Sequence, residues 1–177
     1  DNPFTLTENE KEAIRQCFIR ANMAIYSIKY MSDFESKKIV EILGNEFGLF
    51  RLDNNLGADS DNITSLQVIE GGRKQGYIPY SNMKLSWHTD GYYNLPEEQI
   101  RGVILHCVNS AAKGGENALL DHEMMYIHLR DQDPAYRSAL MKNDVLTIPP
   151  NIENGVEILG VQTGPVFSVT NETGAFL

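Results

Sequence analysis

The sequence predicts a mixed, β-dominated domain: a double-stranded β-helix, or jelly roll, with helices at its N-terminus and in one insertion. Three observations predict it. Short runs rich in Val, Ile, Leu, Tyr and Thr recur between turn signals such as Gly71-Gly72 and Gly114-Gly115. Helical periodicity is confined to two early stretches and one region after residue 121. Strands and helices do not alternate regularly, as a βαβ sheet would require.

The elements follow in order. Residues 7–21 read as a helix, with Thr7 as cap, Glu10 three residues on, and Ala13, Ile14, Cys17 and Phe18 at helical spacing. Residues 23–30 read as a strand. A second helix spans 33–46, capped by Ser32, with Ile39, Val40, Ile42, Leu43 and Phe47 as its apolar stripe, and Gly48 ends it. The polar loop 53–62 lacks the D-x-[DN]-x-[DN]-G frame of a Ca²⁺ loop and reads as solvated. Strands are expected at 64–70 and 77–80, joined by the hairpin loop Gly71 to Gly76. No helix follows that loop, so it is no phosphate cradle. Gln99 to Ser110 is the most apolar strand and is placed centrally, followed by a turn at Lys113-Gly114-Gly115 and a return strand at 117–120. Helices are expected at 123–131 and 134–141. Three strands close the chain, at 145–148, 156–162 and 165–170.

Composition narrows the class. The 177 residues suit one domain, taken as 1–177, and 42% hydrophobic residues can build a core. A net charge of −9 and a pI near 4.9 argue against nucleic acid or an anionic membrane surface as partner. No run reaches transmembrane length, and no signal peptide opens the chain. Two distant cysteines, Cys17 and Cys107, make no disulfide framework, so a cytoplasmic setting is expected. A homo-oligomer is compatible with all of this.

The chemistry concentrates in Leu85-Ser86-Trp87-His88-Thr89-Asp90-Gly91. On a strand, residues two apart face the same way, so His88 and Asp90 can close on one metal ion. Trp87 and Thr89 then face the other way, and Gly91 turns the chain aside. Histidine plus carboxylate begins the facial triad of non-haem Fe(II) oxygenases. Spacing alone leaves open a surface turn with Asp90 capping and His88 solvated. His106 shares a face with Ile104 and Val108 and reads as a core histidine, with Cys107 on the opposite face. His122-Glu123 begins like a zincin helix, but Tyr126 stands where the second ligand belongs, and His128 falls on another face, so a zinc protease is rejected.

The run Asn82 to Tyr92, with W-H-T-D at 87–90, the strand Arg101 to His106, and Gly114-Gly115-Glu116-Asn117-Ala118-Leu119-Leu120-Asp121 together resemble the taurine dioxygenase-like family. These are Fe(II)- and 2-oxoglutarate-dependent oxygenases. The resemblance implies a double-stranded β-helix with the metal at one end, and His88 and Asp90 as metal ligands and catalytic residues. It implies that Asn117 holds the distal carboxylate of 2-oxoglutarate, at a position where the family often carries Thr; an amide can donate the same hydrogen bond. Tyr92, Tyr93 and Asn94 fall where such enzymes often line the substrate pocket, strand-end packing being the alternative. The implied reaction uses O₂ and 2-oxoglutarate to hydroxylate a small-molecule substrate, releasing succinate and CO₂.

The family's second histidine and its 2-oxoglutarate-pairing arginine lie nearer the C-terminus. Here no His follows His128 and no Arg follows Arg137. The chain starts at Asp1 without Met and ends at Gly174-Ala175-Phe176-Leu177, so an incomplete domain is expected. Two other readings stay open: a non-catalytic binding or structural β-domain with a remnant metal site, and a cupin-like domain with His106 as third ligand. The oxygenase reading expects no succinate from the 177-residue chain under Fe(II), 2-oxoglutarate and ascorbate, and turnover by a longer parent that supplies the missing His and Arg. Equal rates would point to His106 or another third ligand.

Overall fold

The computed structural model describes residues 2–29, 32–53, 55, 57–72 and 74–169. Tyr30, Arg73, Thr170 and the C-terminal Gly174 to Leu177, all part of the sequence expectations above, lie outside the described residues. The chain divides into two compact units, 1–112 and 113–177. Among the described residues no helix is long and apolar enough to cross a membrane.

Helix α1 spans Glu8–Ala21 and α2 spans Asp33–Glu46. Both open with a capping box: Thr7 and Glu10 exchange hydrogen bonds on α1, and Ser32 and Glu35 do so on α2. Each box satisfies amide donors that the first turn leaves without partners. Asn22 ends α1 in the left-handed region at φ 53°. Lys11 and Arg15 of α1 reach Glu46 at the end of α2, at 3.0 and 3.5 Å, and Phe18 packs edge-on against Phe47.

The core of the first unit lies on α2. Ile39 is fully buried, with Leu43, Ser36 and Tyr80 close to it in burial. Past α2, Gly48 turns back at φ 87°, and Leu49 lies so close to Gly102 that a Cβ there would stand 2.7 Å from its side chain. Ile104 Cδ1 faces Gly44, at ordinary contact distance, 3.8 Å from where a Cβ would stand. The helix therefore carries segment 49–52 on one side and segment 99–107 beside it.

The runs expected as strands at 23–30, 64–70, 99–110 and 117–120 form no ladder among the described residues, and the third bends at Val108 and Asn109. Alternation fixes an extended backbone; a ladder also needs a partner distant in sequence, which local pattern does not supply. The 99–110 segment is not central. Val103 and Leu105 are each 57% exposed on one face, while Ile104, His106 and Val108 are half-buried on the other. His106 is the satisfied histidine that the sequence suggested: Tyr26 Oη meets its Nδ1 at 2.9 Å, and burial pushes the Tyr26 hydroxyl pKa up. At 77–80 the expected strand is instead a 3₁₀ turn, Ile78–Tyr80, because Pro79 fixes its own φ near the helical value and offers no N–H to a ladder. One ladder-like bond, Ile69 N–H to Tyr80 O at 3.1 Å, remains.

The polar loop after residue 53 is ion-paired. Asp59 accepts from Ser65 Oγ at 2.6 Å, Lys74 Nζ at 3.1 Å and Lys37 Nζ at 3.3 Å, and Lys37 also reaches Asp61 at 2.7 Å. Lys74 lies over the Tyr80 ring, whose hydroxyl donates to Gly57 O. Loop, turn and helix α2 are thereby joined at one carboxylate.

In the second unit, α3 spans His122–Gln132, capped by Asp121, and α4 spans Pro134–Leu140, capped by Asp133. The strands are β1 (Leu146–Ile148), β2 (Asn151–Glu153), β3 (Val156–Leu159) and β4 (Gln162–Gly164). β1 pairs antiparallel with β4, and the β2–β3 hairpin sits between them in sequence. Asn154 and Gly155, at φ 51° and 77°, form the two-residue turn of that hairpin. The strand expected over 156–162 is thus two strands with a break at Gly160 and Val161. The stretch 165–168 is not a strand: it folds against α4, with Val166 and Phe167 N–H both donating to Leu140 O, and Phe167 meeting Tyr126 edge-on.

Ser65 first, then Lys74 and Lys37, hold the Asp59 carboxyl down at about 2, against 3.8 for the free side chain. A depressed carboxyl pKa stabilises the fold above the unfolded value and loses that contribution as pH falls through the folded one. We therefore expect the melting temperature of the parent to fall more steeply than that of Asp59→Asn between about pH 4 and pH 2. Parallel melting curves for the two proteins over that window would show that the network contributes nothing.

Candidate functional site

The segment 82–90 bends at Asn82, Met83 and Trp87 and ends in a turn at Asp90, so the two expected ligands sit on an irregular segment and not on a paired strand. Their side chains nevertheless converge: His88 Nε2 lies 3.5 Å from Asp90 Oδ1. The imidazole is oriented by its own backbone, with Nδ1 2.8 Å from Ser86 O. A carbonyl only accepts, so Nδ1 carries the proton, and the lone pair of the neutral ring is on Nε2. A histidine whose Nδ1–H is held by a carbonyl is the arrangement seen in metal-ligating histidines. Two donors bound about 2.1 Å from one ion stand roughly 3.0–3.5 Å apart, so the pair fits a shared cation.

The pair is open to water, at 39% and 52% side-chain exposure. As a bare imidazolium–carboxylate pair it would contribute little to stability. Among the described residues no three His, Cys, Asp or Glu side chains gather into one group, and His106, engaged with Tyr26, joins no such group.

The turn after Asp90 is built with care. Gly91 has φ 63°, and a Cβ on it would stand 2.7 Å from Ile100 Cδ1 and 2.9 Å from Asn94 Nδ2. Asn94 N–H donates to Gly91 O at 2.8 Å, which closes the turn. The Asn94 side-chain amide donates to Asp53 Oδ1 at 3.0 Å and to Glu98 O at 3.1 Å, so both of its hydrogens are used within the protein. Tyr92 and Tyr93 meet edge-to-face at 5.2 Å; Tyr92 is exposed and Tyr93 half-buried. Burial first, then the negative charge of Asp53, pushes the Tyr93 hydroxyl up, so it stays a neutral phenol. Asp53 is a residue that the sequence reading did not single out. Its only sequence signal was an acidic position opening a polar loop.

Asn117 belongs to the second unit. It is exposed, and its amide donates to Gly115 O at 3.4 Å, a long contact within the Gly114-Gly115 turn. Both glycines take positive φ, 75° and 82°, so the turn is a glycine turn by necessity.

The sequence has relatives among known proteins. The sequence matches the family "Taurine catabolism dioxygenase TauD, TfdA family" over residues 5–174, nearly its whole length, and the chain belongs to that family. It is similar to a uridine-5'-phosphate dioxygenase of Streptomyces sp, 32% identical over 115 residues, which are 62% of this chain and 38% of the relative. A uridine-5'-phosphate dioxygenase of Amycolatopsis sp is 35% identical over 83 residues, 47% of this chain and 29% of the relative. The matched part is thus well under half the length of either relative. No solved structure matches the chain.

The Gly91 geometry gives a direct test. Gly91→Ala places a methyl group against Ile100 and Asn94 and adds a left-handed backbone penalty of about 1–2 kcal/mol. We expect a loss of at least that size in urea unfolding. A variant as stable as the parent would mean that the turn is not held as described.

Proposed function

We propose that this chain is the metal-binding part of an Fe(II)- and 2-oxoglutarate-dependent oxygenase that hydroxylates a small molecule with O₂, releasing succinate and CO₂. Family membership supports an oxygenase; the observation that carries the metal reading is the His88 Nε2–Asp90 Oδ1 approach, with Nδ1 tied to Ser86 O. His88 and Asp90 would hold the iron. Bound iron with 2-oxoglutarate supplies the O₂ activation that no side chain can perform. Asn117 would donate to the distal carboxylate of 2-oxoglutarate, exchanging its long contact to Gly115 O for a charge-assisted one. Tyr92 and Tyr93 would flank the substrate as neutral rings, and Asn94, with both amide hydrogens committed, would shape the wall more than bind. We place both units in one oxygenase domain, acting in the cytoplasm, where its free cysteines Cys17 and Cys107 stay reduced. Uridine-5'-phosphate, in the names of both relatives, is the first substrate to try.

A second reading is a non-catalytic binding domain with a remnant site, and the lack of a third converging ligand among the described residues favours it. Anaerobic Fe(II) titration with 2-oxoglutarate separates the two. The oxygenase reading expects a weak visible charge-transfer band that His88→Ala and Asp90→Ala abolish. It also expects Asn117→Ala to weaken 2-oxoglutarate binding by about tenfold or more, the equivalent of a charge-assisted hydrogen bond. A featureless titration of the parent would favour the second reading.

A further inference from the structure

We propose that Asp53 is a positioning residue for the His88/Asp90 pair, acting through Asn94; this role rests on the metal reading above. Asp53 Oδ1 accepts from Asn94 Nδ2 at 3.0 Å across 41 residues of sequence. The same amide nitrogen lies 2.9 Å from where a Cβ on Gly91 would stand, one residue from Asp90. Asn94 also closes the Gly91 turn through its backbone N–H and pins the far side of the loop through Glu98 O. Movement of Asn94 therefore moves the backbone that aims the Asp90 carboxylate.

What fixes Asn94 is Asp53, and Asp53 is itself fixed. Its segment follows Leu49, which packs on Gly102, and Arg51 makes a parallel but exposed contact to Glu98 at 3.5 Å. The Asp53–Asn94 bond is the inner, part-buried one of the two, where water competes least. Asp53 Oδ2 is buried and has no hydrogen-bond partner among the described residues, so the hold on Asn94 rests on Oδ1. The carboxylate charge strengthens the hold on the Asn94 amide beyond that of a neutral acceptor.

The probe is Co(II), titrated into the full chain and read by quenching of its single tryptophan, Trp87, which precedes His88. Groups that orient a metal ligand affect affinity by about 10–100-fold, so we expect Asp53→Ala to raise the Co(II) dissociation constant by about tenfold or more. Asp53→Asn, whose side-chain oxygen accepts the same bond, should recover most of the affinity. Asn94→Ala should match Asp53→Ala, and the double variant should lose no more than either single one. Asn94→Ala alone removes the bond from the other side should Asp53→Ala not fold. A merely structural role would lower the melting temperature and leave the affinity of the folded protein untouched; that result overturns the inference. Quenching of the parent that His88→Ala leaves unchanged would overturn the metal reading itself, and this role with it. Quenching lost in His88→Ala but unchanged in both the Asp53 and Asn94 variants would overturn this role alone.

Discussion

The burial of Ile39 against the body of the first unit is the contact on which the rest of that unit depends. Ile39 is fully enclosed, and a side chain of its size contributes about 1.5–3 kcal/mol when removed from water. It sits on the stripe of α2 that also buries Ser36 and Leu43. Fixing that stripe fixes where α2 ends, and Gly48 then returns the chain so that Leu49 meets Gly102. From there the placement is sequential. Segment 51–53 runs beside 94–98, and the polar contacts of Asn94 and Glu98 settle the turn that follows Asp90. An exposed pair of side chains is thus located by a buried isoleucine through short steps of packing and hydrogen bonding.

Electrostatics reinforce the same helix from its other side. Lys37 on α2 and Lys74 on a distant turn share Asp59, with Asp61 as a second partner for Lys37, so two cations meet two carboxylates. Such a cluster is neutral and offers no surplus charge to an anionic ligand. Its value is geometric: Tyr80, buried beneath Lys74 and hydrogen-bonded to Gly57 O, cannot move without disturbing loop, turn and helix together. In the oxygen-rich loop that could pass for a cation site in sequence, Asp59 and Asp61 are occupied by lysines.

The helices were legible because their signals are local. Thr7 and Glu10, and Ser32 and Glu35, declare the starts of α1 and α2 within four residues, and the apolar spacing runs over the next three turns. The strands were not, because pairing depends on a remote partner: residues 64–70 and 99–107 have the alternation without the ladder. Two of the differences have local causes. Pro79 opposes a strand at 77–80, and Asn154-Gly155 is a strong two-residue hairpin turn that places a strand, β2, ahead of β3. At the site, the His88 and Asp90 spacing was visible, since two residues on an extended backbone must face one side. Asp53 was invisible, because an aspartate opening a polar loop looks like every other loop aspartate until Asn94 is brought to it from 41 positions away.

The exposure of His88 and Asp90 decides what this part of the chain can contribute to metal chemistry. Groups that are 39% and 52% open are well hydrated, so a cation arriving there displaces water from ligands that already have it. Little affinity comes from relieving a buried charge. It has to come from holding the two donors at the right separation before the ion arrives, since each freely rotating side chain that must be ordered costs free energy. The Ser86 carbonyl removes the ring rotation of His88, and the closed Gly91–Asn94 turn limits the backbone of Asp90. Preorganisation is therefore the property that this scaffold is built to deliver, and a residue that cannot accept from Asn94 in place of Asp53, or a bulkier one in place of Gly91, acts on that property before it acts on the metal.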